Sequence, residues 1–278
     1  MNCTICKTIM DPALAPATTH PTCGPVWGEP GDEDPFNALL KRNLIEIIQW
    51  AEKQNPRGHQ VLIGPSEIGD LCDRRIGYRI AQIPACNEDF DPWAAVMGTA
   101  VHSWLQEAVN GRMAASGTSD WVAETTLAVN EFVEGHCDLY WAPYKTVIDW
   151  KTQGPTIFKN TQANGPSLGY MIQAHVYGYG FEQAGVPVER VALAFLSRAG
   201  WLKNMYVWSA PYDRSLAEMA MSRLYGIAQQ IMSANILTES QRWDDITATA
   251  SNTCGFCPWY NPGKEPDQGA DHNGCPGR

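Results

Sequence analysis

The 278 residues suffice for one large α/β domain with appendages or for two small domains, and a hydrophobic share of 44% excludes wholesale disorder. The formal net charge of −10 argues against a general nucleic-acid-coating role, which needs a basic surface, but not against carboxylates gathered around a divalent cation. No stretch approaches the ~18 apolar residues of a membrane helix, and MNCTICKTIMDPA lacks a signal peptide's basic-to-apolar order, so a cytoplasmic protein without a membrane partner is expected.

Residues 1–34 are rich in Pro, Gly and Cys and show no periodicity. Pro35–Lys53 has helical spacing, with Leu39, Leu40, Leu44, Ile47 and Ile48 on one stripe. Asn55-Pro56-Arg57-Gly58 ends it. A second helix is expected from Ser66, whose hydroxyl can cap the first turn, through Cys72 to Arg79. A third spans Trp93 to Val109. The period then changes, and Trp121–Val129, Glu131–Trp141 and Thr146–Thr152 read as three short strands. Leu168–Gly185 reads as a helix, Val191–Ser197 and Lys203–Ser209 as a strand pair, and Asp213–Ala234 as a long helix. This order predicts an α/β fold, a mixed central sheet flanked by helices.

The segment EGHCDLYWAPYKTVIDWKT carries the chemistry. Residues two apart on a strand share a face, so Asp149 and Lys151 point one way and Trp150 the other. An antiparallel neighbour can bring Asp138 beside Asp149. Two carboxylates and an ammonium on one sheet surface are rarely buried without purpose. Carboxylate oxygens suit Mg²⁺ or Mn²⁺, which assist phosphodiester hydrolysis, and a neighbouring lysine can stabilise transition-state charge. Gly98 and His102 lie four apart on one helix face, and imidazole is a competent Mn²⁺ ligand. Gln173 and Tyr177 have the same spacing, and Glu124 is a further candidate carboxylate on the first strand. Arg74, Arg75, Lys159 and Arg198 are candidate DNA contacts.

In this order, Gly98…His102, Gly135-x-x-Asp138, Asp149-Trp-Lys151 and Gln173…Tyr177 resemble the motifs of the RecB-like branch of the PD-(D/E)XK nuclease superfamily. The resemblance spans Ser66 to Ser209. It implies a restriction-endonuclease-like core in which His102, Asp138, Asp149 and the Trp150 carbonyl bind Mg²⁺ or Mn²⁺ and Lys151 is catalytic. It further implies a DNA exonuclease acting on ends, with single strands a candidate substrate, in recombination, repair or replication of the kind phages carry out, with a recombination or replication protein as a candidate partner. A CRISPR adaptation nuclease and a non-catalytic DNA-binding scaffold are the alternatives.

Of the nine cysteines, Cys3, Cys6 and Cys23 sit at one end and Cys254, Cys257 and Cys275 at the other, and CxxC pairs in a reducing compartment point to metal. Cys254-x2-Cys257 can hold one metal or a cluster edge, with Cys275 behind it and distant Cys72 the best candidate for a fourth ligand. Cys86 or His272 could substitute. One cysteine before the nuclease motifs and three after resembles the iron–sulfur nucleases of this superfamily, the CRISPR-associated exonucleases and AddB-type subunits. That resemblance implies a [4Fe–4S] staple; zinc at the same site is the alternative. Separately, Cys3-x2-Cys6 and His20-x2-Cys23 have the spacing of a structural zinc knuckle. The expected organisation is therefore a zinc-binding extension over 1–34 and a nuclease domain with its iron–sulfur segment over 35–278. A zinc deaminase is excluded, because there is no H-x-E motif and Thr253 precedes Cys254 where proline is required.

Overall fold

The computed structural model describes residues 19–20, 24–25, 35–54, 62–87, 91–233, 240–250, 254–263 and 274–277. The chain divides into two compact units, Met1–Gly58 and His59–Arg278. The first contains a two-stranded antiparallel ribbon, β1 (Thr19–His20) with β2 (Gly24–Pro25), and a helix, α1 (Pro35–Lys53). Leu39, Leu40, Leu44 and Ile47 of the expected α1 stripe are exposed.

The second unit begins with α2 (Pro65–Ile68) and α3 (Asp73–Ile80), where one helix was expected. The break lies at Gly69–Cys72. Asp70 Oδ1 accepts from the Cys72 N–H at 2.8 Å, closing a local turn that competes with helix. Ser66 is not the cap. The Glu67 carboxylate accepts the Gly64 N–H at 2.8 Å, and Pro65 opens the helix with its preset φ. Next come α4 (Trp93–Ser116), about two turns longer than its apolar pattern suggests, then β3 (Trp121–Ala128), β4 (Glu134–Trp141) and β5 (Thr146–Gln153). An unexpected helix, α5 (Pro155–Asn164), follows; its mixed residues carry little periodicity, but Pro155 marks its start. The chain continues through α6 (Leu168–Gln183), β6 (Arg190–Ser197), β7 (Tyr206–Pro211) and α7 (Arg214–Ser233).

The five strands form a mixed sheet in the order β3-β4-β5-β6-β7, antiparallel except for the parallel β5–β6 pair. A parallel pair needs a crossover, and α5 and α6 supply it. The interior strand β6 carries the continuous apolar run VALAFL, as a strand buried on both faces requires. Helix α6 is buried nearly all round. Ala174, Tyr177 and Phe181 pack with Tyr140, Val147 and Phe195 of the sheet, while Val176 joins a second core with Ile76, Leu224, Trp243 and Trp259. On the opposite face α4 buries no residue. Leu105, Val109 and Arg112 of that helix line an open groove of about 890 Å³ over Leu139, Ile148 and Trp150.

One feature of the sheet positions the site. Strands β4 and β5 pair only at Leu139↔Ile148, Tyr140↔Val147 and Trp141↔Thr146. Beyond that, β4 pairs with β3 alone and β5 with β6 alone. The sheet forks there, and Asp138 and Asp149 are the first residues past the fork.

Candidate active site

The β4–β5 register places Asp138 opposite Asp149, but no ladder bond joins them. Instead Asp138 Oδ2 accepts the Trp150 N–H at 2.7 Å, so a side chain fills the role of the missing strand partner. Its other oxygen, Oδ1, lies 2.9 Å from His102 Nδ1. Burial pulls the imidazole pKa down, but the hydrogen bond and charge of Asp138 outweigh it, leaving His102 above its ordinary value.

Asp149 is 2% exposed. Its Oδ1 accepts from Gln173 Nε2 at 3.0 Å, and Lys151 Nζ lies 2.8 Å from Oδ2. Lys151 also donates to Gln173 Oε1 at 2.8 Å. One amide of α6 therefore serves both charged residues of β5. Burial, opposed by the Lys151 charge and reinforced by that of Asp138, pushes the Asp149 carboxyl up to about 6. For Lys151 burial works against the ammonium, and the adjacent Asp149 more than restores it. Tyr177, one helical turn beyond Gln173, is buried, and desolvation holds its phenol well above the usual range and hence neutral.

Other candidates fall elsewhere. Glu124 lies across β3 from Asp138 between the Ala123↔Leu139 and Thr125↔Cys137 pairs, but at φ +50°, so the ladder skips it. Arg74 was expected at DNA and is not at the surface. At 5% exposure it donates from Nε to the Ile246 carbonyl at 3.0 Å and pairs with Asp244 at 3.1 Å. Arg75 pairs with Asp70 at 2.9 Å, whereas Lys159 and Arg198 are exposed. Gly135 has a steric reason: a Cβ there would lie 2.3 Å from Pro65 Cδ. Gly98 has none, with nothing within 4 Å. Sequence reasoning missed Tyr170, whose ring centroid lies 4.9 Å from Lys151 Nζ. The signal was its position one turn before Gln173 on the same helical face.

The donor set suits a hard divalent cation. The 2.9 Å between His102 Nδ1 and Asp138 Oδ1 is close to the ~3 Å separating neighbouring ligands of an octahedral ion with bonds of ~2.1 Å. Asp149 Oδ2 is buried with the Lys151 ammonium 2.8 Å away as its partner, and a carboxylate oxygen so placed keeps acceptor capacity that a cation would satisfy. Among the described residues no three His, Cys, Asp or Glu side chains yet converge on one ion, because Asp149 is turned toward Gln173 and Lys151.

A second constellation is separate. Cys72, Cys254, Cys257 and Cys275 all line one cavity of about 270 Å³. Cys254 and Cys257 sit on a 3₁₀ turn closed by a 2.8 Å backbone bond. Backbone N–H groups of Thr249 and Gly277 donate to the sulfurs of Cys72 and Cys275, both at 3.4 Å. Burial raises the Cys257 thiol pKa. Cys86 does not line the cavity but sits behind Gly274, where a Cβ would lie 2.6 Å from its sulfur. Cys3, Cys6, Cys23 and His272 lie outside the described residues; His20 falls in β1. Buried Cys137 is kept protonated by desolvation and is not a ligand candidate.

A forked mixed sheet bearing two carboxylates and a lysine, with an imidazole supplied by α4, defines an α/β protein equipped to hold a cation beside an anionic group. No protein-family model matches the chain, and neither does any curated protein. Among solved structures it is similar to LHK-Exo, an alkaline exonuclease from Laribacter hongkongensis. In that protein's complex with dAMP the identity is 11% over 63% of this chain and 89% of that one, with a TM-score of 0.45. A phage-related exonuclease from Haemophilus somnus is 16% identical over 48% of this chain and 70% of that one, with a TM-score of 0.35. At these scores the functional reading rests on the site itself.

Proposed function

We propose that this chain is a Mg²⁺- or Mn²⁺-dependent deoxyribonuclease, an exonuclease of the RecB-like class that hydrolyses phosphodiesters from DNA ends. The observation that carries the reading is the buried Asp149–Lys151–Gln173 cluster at the sheet fork, beside the His102–Asp138 pair. His102, Asp138, Asp149 and the Trp150 carbonyl would hold the cation. When bound, that ion neutralises phosphate charge and lowers the pKa of a water.

The chain's own residues do the rest. Lys151 offers a buried positive charge to the phosphate as a water oxygen bonds to phosphorus and one ester P–O bond breaks. Gln173 holds Lys151 and Asp149 in register, and neutral Tyr177 packs behind them without competing for the cation. The products are a phosphomonoester and a hydroxyl end. Lys159 and Arg198 are exposed cations suited to DNA phosphates.

The cysteine cavity is proposed to hold a [4Fe–4S] cluster on Cys72, Cys254, Cys257 and Cys275. A single zinc needs four thiolates about 3.8 Å apart, the edge of a tetrahedron with 2.3 Å bonds. Four thiols lining a cavity of about 270 Å³ leave room for a group larger than one ion. A zinc knuckle on Cys3, Cys6, His20 and Cys23, and a role in recombination, repair or replication, complete the proposal.

The test is anaerobic purification followed by incubation with end-labelled single- and double-stranded DNA and Mn²⁺ or Mg²⁺, with Asp149→Ala and Lys151→Ala alongside. Brown protein and metal-dependent degradation from ends, lost in both variants, is expected. Degradation that persists in both variants, or folded metal-loaded protein that leaves every DNA intact, would overturn the nuclease reading. Colourless protein carrying one zinc at Cys72, Cys254, Cys257 and Cys275 would overturn the cluster.

A further inference from the structure

An ammonium has three N–H donors. In Lys151 one bonds Gln173 Oε1 at 2.8 Å, and a second side faces Asp149 Oδ2 at 2.8 Å. The face of Tyr170 closes a third side, with its centroid 4.9 Å from Nζ. Tyr170, Gln173 and Tyr177 stand at i, i+3 and i+7 of α6, so one helix face carries all three over the site.

Tyr170 is itself braced. Its ring lies 6.0 Å from that of Phe195, and Phe195 is the β6 partner of Lys151 in the parallel ladder. Tyr206 of β7 extends the row, with rings 5.9 Å apart. The Ser167 hydroxyl accepts the Tyr170 N–H at 3.4 Å in the first turn of α6. The lysine thus occupies a slot made of a carboxylate, an amide and an aromatic face.

We propose that Tyr170 is a positioning residue for Lys151: its ring face, not its hydroxyl, holds the ammonium beside Asp149, where its charge meets the substrate phosphate. The attraction is that of a cation for the negative face of an aromatic quadrupole, which grows when water is excluded. The plainer alternative makes Tyr170 a packing partner of Phe195 that lies near Lys151 by coincidence. The contact stands on geometry alone; its consequence for catalysis rests on the nuclease reading above.

Tyr170→Phe keeps the ring and loses the hydroxyl, whereas Tyr170→Leu keeps apolar bulk and loses the ring. In metal-free full-length protein with ¹³C-labelled lysine, assigned with Lys151→Arg, the ring shifts the Lys151 ε-methylene signal upfield. That shift should survive in Tyr170→Phe and vanish in Tyr170→Leu. On end-labelled DNA with Mn²⁺, Tyr170→Phe should keep kcat within about twofold. Tyr170→Leu should lose about tenfold in kcat with KM changed less than about threefold, since a lysine misplaced in the transition state costs rate more than binding.

An unshifted Lys151 signal in the parent protein would overturn the proposal. So would a Tyr170→Leu variant with undiminished kcat, or a Tyr170→Phe variant as impaired as Tyr170→Leu. If Tyr170→Leu fails to fold, Tyr170→Met serves the same comparison. Should the parent protein cleave no DNA, the nuclease reading fails by itself and the methylene shift still decides the contact.

Discussion

Gln173 is the residue on which the charged pair of β5 depends, because its one amide donates to Asp149 and accepts from Lys151. Gln173→Leu would leave the buried Asp149–Lys151 ion pair in place but strip each partner of its amide hydrogen bond. The expected result is a loss of about 1–3 kcal/mol in urea unfolding and at least tenfold in DNA cleavage. An undiminished unfolding midpoint would show that the amide is incidental. The protonation of the site follows from the same burial. Asp149 is pushed up to about 6 and His102 sits above its ordinary value. At these two groups the folded, metal-free protein therefore binds protons more tightly than the unfolded chain, Asp149 between about pH 4 and pH 6 and His102 above about pH 6.5. Stability conferred by these two groups is present at the acid end and declines as pH rises through the window. Thermal unfolding in EDTA should record that decline, with a shallower slope in Asp149→Asn. Mn²⁺ should act in the opposite sense, raising Tm more at pH 8 than at pH 5.5, because protons and cation compete for the same atoms.

Between elements, glycines separate close approach from open space. At Gly69 a Cβ would lie 2.3 Å from the Gly169 carbonyl oxygen, and at Gly135 2.3 Å from Pro65 Cδ. Neither backbone nor proline ring yields as a flexible side-chain tip does, so Gly69→Ala and Gly135→Ala should each destabilise by about 1–3 kcal/mol. Gly98, mid-helix in α4 with nothing within 4 Å, should behave in reverse: Gly98→Ala should stabilise by roughly 0.5–1 kcal/mol. Denaturant midpoints of the three variants test both signs. The Gly69–Gly169 contact joins the loop bearing Cys72 to the first turn of α6, which carries Tyr170 and then Gln173. The cysteine cavity and the sheet fork thus share one helix as a wall.

Across the whole second unit, the cysteine cavity ties together stretches far apart in the chain. Arg74 reaches Cys275 across 201 residues, and the Thr249 N–H reaches Cys72 across 177. A group bound only by the folded state adds its binding energy to stability, so removing it should lower Tm. Cys72→Ser should lose visible absorption and unfold at lower temperature, while Cys86→Ser, outside the cavity, should retain both colour and Tm. Equal loss in the two variants would move the ligand assignment from Cys72 to the pair.

The residues facing the same way were legible in the sequence wherever local periodicity dictates direction. Asp149 and Lys151 share a strand face because the side-chain period is two, and Gln173 and Tyr177 share a helix face because the period is 3.6. The mixed sheet flanked by helices was legible for the same reason. The break between α2 and α3 was not: the turn that Asp70 closes on the Cys72 N–H is local, but a single Asp within a helical pattern does not announce it. Nor was the burial of Arg74, whose partners Asp244 and Ile246 come from a segment without strong periodicity. The tertiary structure alone decided that the sheet forks at Asp138, that one amide serves both charges of β5, and that Tyr170 caps the lysine. Local pattern determines which way a side chain points. What it meets there depends on the packing of elements distant in sequence, which no local period encodes.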